Sequence, residues 1–122
     1  MGHGDEIVLA NANFPAASCA RRLIRLDGIM ITDLLEPILN LFPLDSFVDT
    51  SLTLMKTLPG FSGIPPVWAE YKAIAKKYDE KAGFEEIERP VFYERAKAAY
   101  AVVATGEQAR YSALILKKGV II

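Results

Sequence analysis

The sequence predicts an α/β layered fold, because apolar runs typical of strands alternate along the chain with segments of helical periodicity. Turn-forming residues separate most of these segments, and the last third of the chain is the most β-favouring. A chain of 122 residues has room for one domain, which would bury roughly two thirds of the surface that its unfolded form exposes. We therefore expect a single domain over residues 1–122, with helices covering a sheet.

Two strands are predicted near the beginning of the chain. Residues 7–10 are apolar and β-favouring, and turn-like residues follow them. This strand would carry His3 at one end, and Asn11 and Asn13 at the other. Residues 22–26 alternate charged side chains with Leu and Ile, which indicates a second short strand before a turn at 27–28.

A first helix is predicted from Thr32 and Asp33, because Leu, Ile and Phe side chains then recur on one helical face. Pro37 would remove a backbone hydrogen bond inside this helix, which favours a start later than Thr32. Pro43 is expected to end the element.

The middle of the chain predicts a strand, a loop and a second helix. Residues 47–58 favour one strand with an interruption at 49–51, and the Pro- and Gly-rich residues 59–66 form a loop. Pro66 suits the first turn of a helix whose apolar residues recur at helical spacing up to Tyr78.

The last third predicts one more helix between strands. Residues 84–89 resemble a strand, and Pro90 opens a helix that turns Phe92 and Ala96 inward. Three further apolar runs predict strands, at residues 101–104, 113–116 and 120–122.

Charge and composition argue against several classes of protein. The formal net charge of -1 offers no electrostatic footprint for nucleic acid or an anionic membrane, and no apolar run is long enough to span a bilayer. Cys19 is the only cysteine, so an internal disulfide is impossible and a reducing compartment fits; we expect it to be a small buried hydrophobe. The apolar share of 52% is high for this size and favours contact with other subunits.

The only histidine, His3, is the clearest candidate for chemistry. Two glycines flank it and Asp5 follows, and imidazole changes charge near neutral pH, so His3 suits general acid or base catalysis. The alternative is an ordinary solvent-exposed histidine near the N-terminus, and the pattern alone favours this alternative. A metal site at His3 and Asp5 is less favoured, because the chain has no second histidine.

Short segments spread from the first residue to the last few carry a resemblance to a known family. They are Met1-Gly-His-Gly-Asp-Glu-Ile, Asn13-Phe-Pro-Ala, Arg25-Leu-Asp-Gly, Phe92-Tyr-Glu-Arg-Ala, Thr105-Gly-Glu and Leu116-Lys-Lys-Gly-Val. In this order they resemble the L-fucose mutarotase and D-ribose pyranase family, and the fucose branch more closely than the ribose branch.

The resemblance implies a small cytoplasmic α/β enzyme that interconverts ring forms of free monosaccharides. It also implies assembly into a ring-like homo-oligomer, a decamer, with sugar pockets at the subunit boundaries. Opening a hemiacetal ring requires a proton delivered to the ring oxygen and a proton taken from the anomeric hydroxyl, so one acid and one base suffice. We therefore expect no metal, nucleotide or redox cofactor.

Carried over residue by residue, the family's catalytic histidine falls on His3, as proton donor. The family's substrate-binding positions fall on Asn11, Arg89, Tyr111, Ser112 and Ala113. From the residues alone, Arg89 would be a surface cation and Tyr111 a packed aromatic. Asp5 is our own addition, as a partner that orients His3. Trp68 and Tyr71 suit stacking on a sugar, although aromatic side chains at helical spacing more often pack in a core or an interface.

Three departures from the family pattern affect the expected site. Asn11 stands where the family has an aspartate, so this position carries no charge and cannot act as a base. Ser112 and Ala113 replace a glycine and an asparagine, and losing one such hydrogen bond to the sugar costs about 1 kcal/mol. Family members also carry about a helix's worth of residues before this motif, so either the true start lies upstream of Met1 or that helix is missing.

We therefore predict a mutarotase that interconverts the α and β anomers of L-fucose or a related free sugar. D-ribose pyranase-type exchange between pyranose and furanose is the nearest alternative. A catalytically weak oligomeric sugar-binding protein is the alternative without turnover, and the effect of His3→Ala on the exchange rate separates it from an enzyme. A metal-dependent hydrolase is the least favoured.

Overall fold

The computed structural model describes residues 1–120, which form a six-stranded sheet with helices packed on both faces. The strands are β1 (Glu6–Ala10), β2 (Leu23–Leu26), β3 (Leu52–Met55), β4 (Phe84–Ile87), β5 (Ala101–Thr105) and β6 (Leu114–Lys117). The helices are α1 (Ala16–Cys19), α2 (Ile31–Leu41), α3 (Pro66–Tyr78) and α4 (Arg89–Ala98). The predicted α/β class is confirmed.

Five of these strands run in one direction, and β6 runs against them. β1 pairs in parallel with β5, β5 with β2, and β3 with β4, while β6 lies antiparallel between β1 and β3. The strand order is β2-β5-β1-β6-β3-β4. One end of the sheet, here called the carboxyl end, therefore collects the last residues of five strands and the first residues of β6. The opposite end is called the amino end.

Successive side chains of β1 point to opposite faces of the sheet and so join two separate cores. Leu9 packs in a core with Tyr71 of α3, whereas Val8 packs in a second core with Phe92 of α4. All four side chains are fully buried, and each contributes about 1.5–3 kcal/mol of hydrophobic stabilisation. The central strand is thus held firmly on both faces, with one functional candidate beyond each of its ends.

Several predicted elements have nearly the expected bounds. The helix α3 runs over Pro66–Tyr78 as predicted, with proline in its first turn. The predicted strand at 84–89 is shorter, because β4 ends at Ile87 and Arg89 already begins α4. None of the helices within residues 1–120 has the length and apolarity that a membrane span requires.

The predicted start of the first long helix is wrong. The helix α2 begins at Ile31, before Thr32, and Pro37 lies inside it beyond the first turn. Pro37 is on the exposed face of the helix, where water can bind the backbone carbonyl that loses its partner. Solvent therefore allows a proline that a buried position would exclude.

Two predicted strands differ from the structure, because pairing with neighbouring strands determines which residues are extended. Only Leu52–Met55 of the predicted 47–58 strand is extended, because these residues lie between β4 and β6 while residues 47–49 form bends at the surface. Of the strand predicted at 120–122, Val120 belongs to no strand, and residues 121 and 122 lie outside the described residues. The short helix α1 was not predicted.

Candidate functional site

A pocket with a volume of about 250 Å³ opens at the carboxyl end of the sheet, where β1 and β3 end, β6 begins and α4 starts. Its lining residues are Asn11, Asn13, Phe14, Met55, Arg89, Tyr93, Arg110, Tyr111 and Ala113. The set contains four of the five predicted substrate-binding residues, the exception being Ser112. A larger groove of about 560 Å³ runs along residues 39–44, but none of the predicted site residues lines it.

The loop between β5 and β6 is held in place by the buried carboxylate of Glu107. This carboxylate accepts hydrogen bonds from the backbone N–H groups of Ile31 at 3.2 Å and Ala109 at 3.3 Å. The amide of Asn11 donates to the backbone oxygen of Ala109 at 3.5 Å. These contacts tie the loop to the end of β1 and to the start of α2, so Asn11 is fixed beside the pocket.

Tyr111 adopts a backbone conformation that is uncommon for residues other than glycine, with φ at 56°. Three contacts hold it there. The indole N–H of Trp68 donates to its carbonyl oxygen at 2.8 Å, the backbone N–H of Leu58 donates to its phenol oxygen at 3.1 Å, and its ring meets the ring of Phe61 edge-on. The ring at the pocket wall is therefore fixed by the surrounding structure.

Trp68 and Tyr71 of α3 belong to the core and do not line the pocket. The phenol of Tyr71 donates to the carbonyl oxygen of Ser112 at 2.7 Å, next to the carbonyl that Trp68 binds. Burial, together with the negative charges of Glu107 and Glu70, raises the pKa of Tyr71 far above its ordinary value, so the phenol remains a neutral donor. Packing, and not stacking on a ligand, is the role of this aromatic pair.

The side chain of Ser112 does not reach the pocket. It is fully buried, and its hydroxyl donates to the carbonyl oxygen of Ala109 at 2.6 Å. Ala113, in contrast, is one of the residues that line the pocket. Of the predicted segment 111–113, the first and third residues therefore face the pocket and the second braces the loop from behind.

Arg89 and Tyr93 share one face of α4, because they lie four residues apart at the beginning of the helix. Tyr93 packs edge-on against Phe14, with ring centroids 5.4 Å apart. Arg110 places its guanidinium over the ring of Phe61, at 5.2 Å from the centroid. Asn13 was expected beside Asn11 at this end of β1, and it lines the pocket. Arg110 was not singled out from the sequence, because only folding brings it to the pocket.

His3 lies at the amino end of the sheet, beside Asp45 and Phe47. Its Nε2 is 3.1 Å from Oδ1 of Asp45, and its ring centroid is 5.4 Å from that of Phe47. The His3 side chain is 44% exposed, whereas that of Asp45 is only 4% exposed. Asp45 was missed by the sequence analysis, because the two residues are far apart in the chain.

Asp45 is charged although it is buried. Burial alone would raise its pKa, but hydrogen bonds from the backbone N–H of Phe47 and from His3, with the charges of His3 and Lys117, outweigh burial and lower the pKa below its ordinary value. Asp5, the expected partner of His3, instead accepts a hydrogen bond from the backbone N–H of Gly2 at 2.7 Å. The carboxylate in contact with the imidazole is therefore that of Asp45.

His3 and the pocket do not meet within one chain. β1 separates them, and its five residues span roughly 17 Å at the usual rise of a strand. The expectation that His3 and Asn11 lie at opposite ends of this strand is confirmed. The groups that could exchange protons and the groups that could bind a ligand are thus on opposite ends of the same sheet.

A metal site at His3 finds no support among residues 1–120, where no three His, Cys, Asp or Glu side chains are grouped to hold an ion. Cys19 is buried and unbonded, as expected for a small apolar residue.

Comparison with known proteins gives consistent results. The sequence model of the RbsD / FucU transport protein family matches residues 1–121. The fucose mutarotase of Homo sapiens is 50% identical over 127 residues, which cover 99% of this chain and 82% of that protein. The L-fucose mutarotase of Actinobacillus pleuropneumoniae is 49% identical over 121 residues, which cover 98% of this chain and 84% of that protein.

Solved structures agree with the fold. The fucose mutarotase of Streptococcus pneumoniae in complex with L-fucose has a TM-score of 0.94 and 52% identity, covering 100% of this chain and 87% of that one. The RbsD of Bacillus subtilis in complex with D-ribose has a TM-score of 0.72 and 20% identity, covering 100% and 87%. At 20% identity, the similarity to this RbsD shows a common fold only.

Proposed function

Because the chain belongs to the RbsD / FucU family, we propose that it is a sugar mutarotase that interconverts the α and β anomers of L-fucose or a related free monosaccharide. The observation that carries this proposal is the pocket at the carboxyl end of the sheet, which gathers Asn11, Arg89 and Tyr111 from distant parts of the chain. Its 250 Å³ suit a single sugar ring. The 50% identity to a fucose mutarotase makes L-fucose the first sugar to test.

The chemistry requires two proton transfers. As the bond between the ring oxygen and the anomeric carbon breaks, an acid protonates the ring oxygen and a base removes the proton of the anomeric hydroxyl, which leaves the open aldehyde. Rotation about the bond to the aldehyde carbon and reclosure, with both protons returned, give the other anomer. His3 is the donor in this proposal, and a positioned group of this kind accelerates proton transfer about 10²–10⁴-fold. This reaction needs no cofactor.

We infer that each pocket is completed by His3 of a neighbouring subunit. His3 and the pocket lie at opposite ends of β1, so a head-to-tail contact between two copies is the simplest way to bring them together. Contacts of this type form a ring when the rotation between neighbours closes, which fits the ring-like homo-oligomer, a decamer, that the family resemblance implies. The apolar side chains of Phe47 beside His3 and Ile64 in the loop before α3 are 73% and 76% exposed, as an interface at both ends would require.

Asp45 positions His3 in this scheme. Its carboxylate accepts a hydrogen bond from Nε2–H, which leaves Nδ1 to face the sugar. In the imidazolium form Nδ1–H donates its proton to the ring oxygen, and Nδ1 takes that proton back when the ring closes. Because Asp45 is buried and bonded to the backbone N–H of Phe47 at 3.0 Å, the imidazole is held on a rigid support. Asp5 acts less directly, by closing the turn before β1 through its bond to Gly2.

Substrate binding falls to Asn11, Arg89 and Tyr111, with Ala113 leaving room that a larger side chain would fill. Ser112 contributes by bracing the loop. D-ribose pyranase-type exchange remains the second activity to test, since a hydroxyl other than that of the pyranose can close the open chain. We place the protein in the cytoplasm and treat residues 1–122 as one mutarotase domain.

The test is magnetisation-transfer NMR between the anomeric proton signals of L-fucose and, separately, of D-ribose. Wild type should accelerate exchange over a blank without enzyme, and His3→Ala should abolish the acceleration. His3→Gln is the matched variant, because its amide still donates to Asp45 but transfers no protons. Loss of exchange in both variants, with an unchanged melting temperature for His3→Gln, supports catalysis by His3. Exchange that persists in His3→Gln refutes it, and binding without exchange in the wild type favours the sugar-binding protein without turnover.

A further inference from the structure

The segment Thr105-Gly106-Glu107 joins the end of β5 to the loop beside the pocket, and none of its residues lines the pocket itself. The hydroxyl of Thr105 donates to the backbone oxygen of Ala10, the last residue of β1, at 2.8 Å. A Cβ atom at Gly106 would overlap the backbone oxygen of Asp27, so a larger residue would force the chain to move. The segment therefore holds Glu107 close to β1 and to the turn that follows β2.

The carboxylate of Glu107 caps helix α2 from a remote part of the chain. Glu107 is only 5% exposed, and one of its oxygens accepts from the backbone N–H of Ile31, the first residue of α2, at 3.2 Å. Met30, which precedes the helix, forms no side-chain capping bond. A negative charge here also suits the partial positive charge of the helix N-terminus. Glu107 thus satisfies an N–H group that the helix leaves without a partner.

The other oxygen of the same carboxylate holds the loop before β6, because it accepts from the backbone N–H of Ala109 at 3.3 Å. The carbonyl oxygen of Ala109 in turn accepts from the hydroxyl of Ser112 at 2.6 Å and from the amide of Asn11 at 3.5 Å. The backbone oxygen of Glu107 accepts from the N–H of Ala12 at 2.7 Å. One residue therefore connects two walls of the pocket, the end of β1 and the loop before β6, to the start of α2.

The charge of Glu107 is balanced by N–H donors and not by a cation. Among residues 1–120, no cationic side chain lies within ion-pair distance of it. A buried charge is costly unless hydrogen bonds compensate it, so any shift of Ile31 or Ala109 away from the carboxylate is opposed. Hydrogen bonds to a charged group are also stronger than those between neutral groups. The carboxylate therefore restrains the loop in one position.

From these contacts we propose that Glu107 is a positioning residue for sugar binding, because its carboxylate sets the places of Asn11 and Tyr111. This inference deepens the proposed function and rests on it, since it concerns the same pocket. Glu107 lies behind the pocket lining and takes no part in proton transfer. The contacts of the sugar with Asn11 and Tyr111 exist before and during ring opening, so weakening them raises KM and leaves kcat nearly unchanged.

The test replaces Glu107 with glutamine, which has nearly the same shape and no charge. An amide has a single acceptor oxygen, so its NH₂ group must face the N–H of either Ile31 or Ala109. The concentration dependence of anomeric exchange, followed by NMR, gives KM and kcat for L-fucose. We expect Glu107→Gln to raise KM about tenfold, the order for a lost hydrogen bond to a charged group, and to keep kcat within about twofold of wild type.

Glu85→Gln is the matched control. Glu85 is a partly buried carboxylate that accepts from Thr50 and Arg95, and it lies outside the pocket lining. Its loss should lower the melting temperature and leave KM unchanged.

A double variant separates the cap of α2 from the position of the loop. Met30 has the extended backbone of an N-cap residue, so Met30→Ser supplies a local cap. Added to Glu107→Gln, it should recover the melting temperature while KM stays raised. Full recovery of KM would overturn the proposal, because the helix cap would then account for the whole effect.

The remaining outcomes distinguish this proposal from the mutarotase itself. Wild-type KM in Glu107→Gln overturns the positioning role, whether kcat is unchanged or falls with the melting temperature. Absence of exchange in the wild type refutes the mutarotase, and titration with L-fucose then decides the role of Glu107. A dissociation constant raised about tenfold in Glu107→Gln supports that role, and an unchanged constant overturns it.

Discussion

Mixed oligomers offer the sharpest test of a site shared between subunits. In the structure, His3 and Arg89 lie at opposite ends of the sheet, separated by the length of β1. We consider two chains, one with His3→Gln and one with Arg89→Met. Each variant alone should assemble normally and lose exchange, because every pocket would lack either the proton donor or the guanidinium.

The expected recovery follows from counting neighbours. In oligomers built at random from equal amounts of the two chains, half of the pockets keep Arg89, and half of these receive His3 from the adjacent chain. About one quarter of the sites are therefore intact when the contact is head-to-tail. If His3 and Arg89 acted within one chain, no site would be intact, since no chain carries both residues.

The assay is anomeric exchange of L-fucose, measured by NMR on oligomers that were co-expressed with two different tags and purified through both. Recovery near one quarter of the wild-type rate supports the shared site. Co-expression of His3→Gln with His3→Ala is the control and should recover nothing. Purified mixed oligomers that contain both chains but show no recovery would refute the assignment of His3 to the neighbouring pocket.

Two further predictions concern stability. The pKa of Asp45 is lowered in the folded protein from its ordinary value of 3.8, so its carboxylate stabilises the fold above that pH, and this stabilisation is lost as the pH falls through the lower folded value. Urea unfolding should therefore show a lower free energy of unfolding for Asp45→Asn than for wild type at neutral pH, and this difference should narrow below about pH 4. Asp49→Asn, at an exposed residue, serves as the control. A difference in free energy that does not depend on pH would contradict the reasoning. Tyr71→Phe removes the donor to the buried carbonyl of Ser112 and should lower the free energy of unfolding by about 1–3 kcal/mol. Tyr78→Phe, at a residue 39% exposed, should change it by less than about 0.5 kcal/mol, and equal effects of the two substitutions would show that the buried hydrogen bond contributes nothing.

Local patterns were enough to predict the elements whose side chains repeat at short range. The helix α3 follows from Pro66 and from apolar residues at helical spacing, and its observed bounds match. The strand β1 follows from a short apolar run between turn-like residues, and it places His3 and Asn11 at opposite ends. Resemblance to a family added the substrate positions, four of which line one pocket.

Long-range contacts were beyond prediction from local patterns. The pairing of His3 with Asp45 depends on the segment before β3 reaching the amino end of β1, and nothing in either segment indicates it. The presence of Arg110 at the pocket and the left-handed conformation of Tyr111 depend on hydrogen bonds from Trp68 and Leu58. These features arise from segments that are remote in the chain.

The amino-acid sequence by itself determined the α/β class, the main helices, the central strand and the family, because periodicity and motif residues act over short distances along the chain. The tertiary structure alone decided which side chains meet. Strand direction and register bring the last residues of β1 and β3 together with the first residues of β6 at one end of the sheet, and His3 together with Asp45 at the other. These are properties of pairing between segments, not of any segment alone. The separation of His3 from the pocket, on which the shared site rests, is a consequence of that pairing.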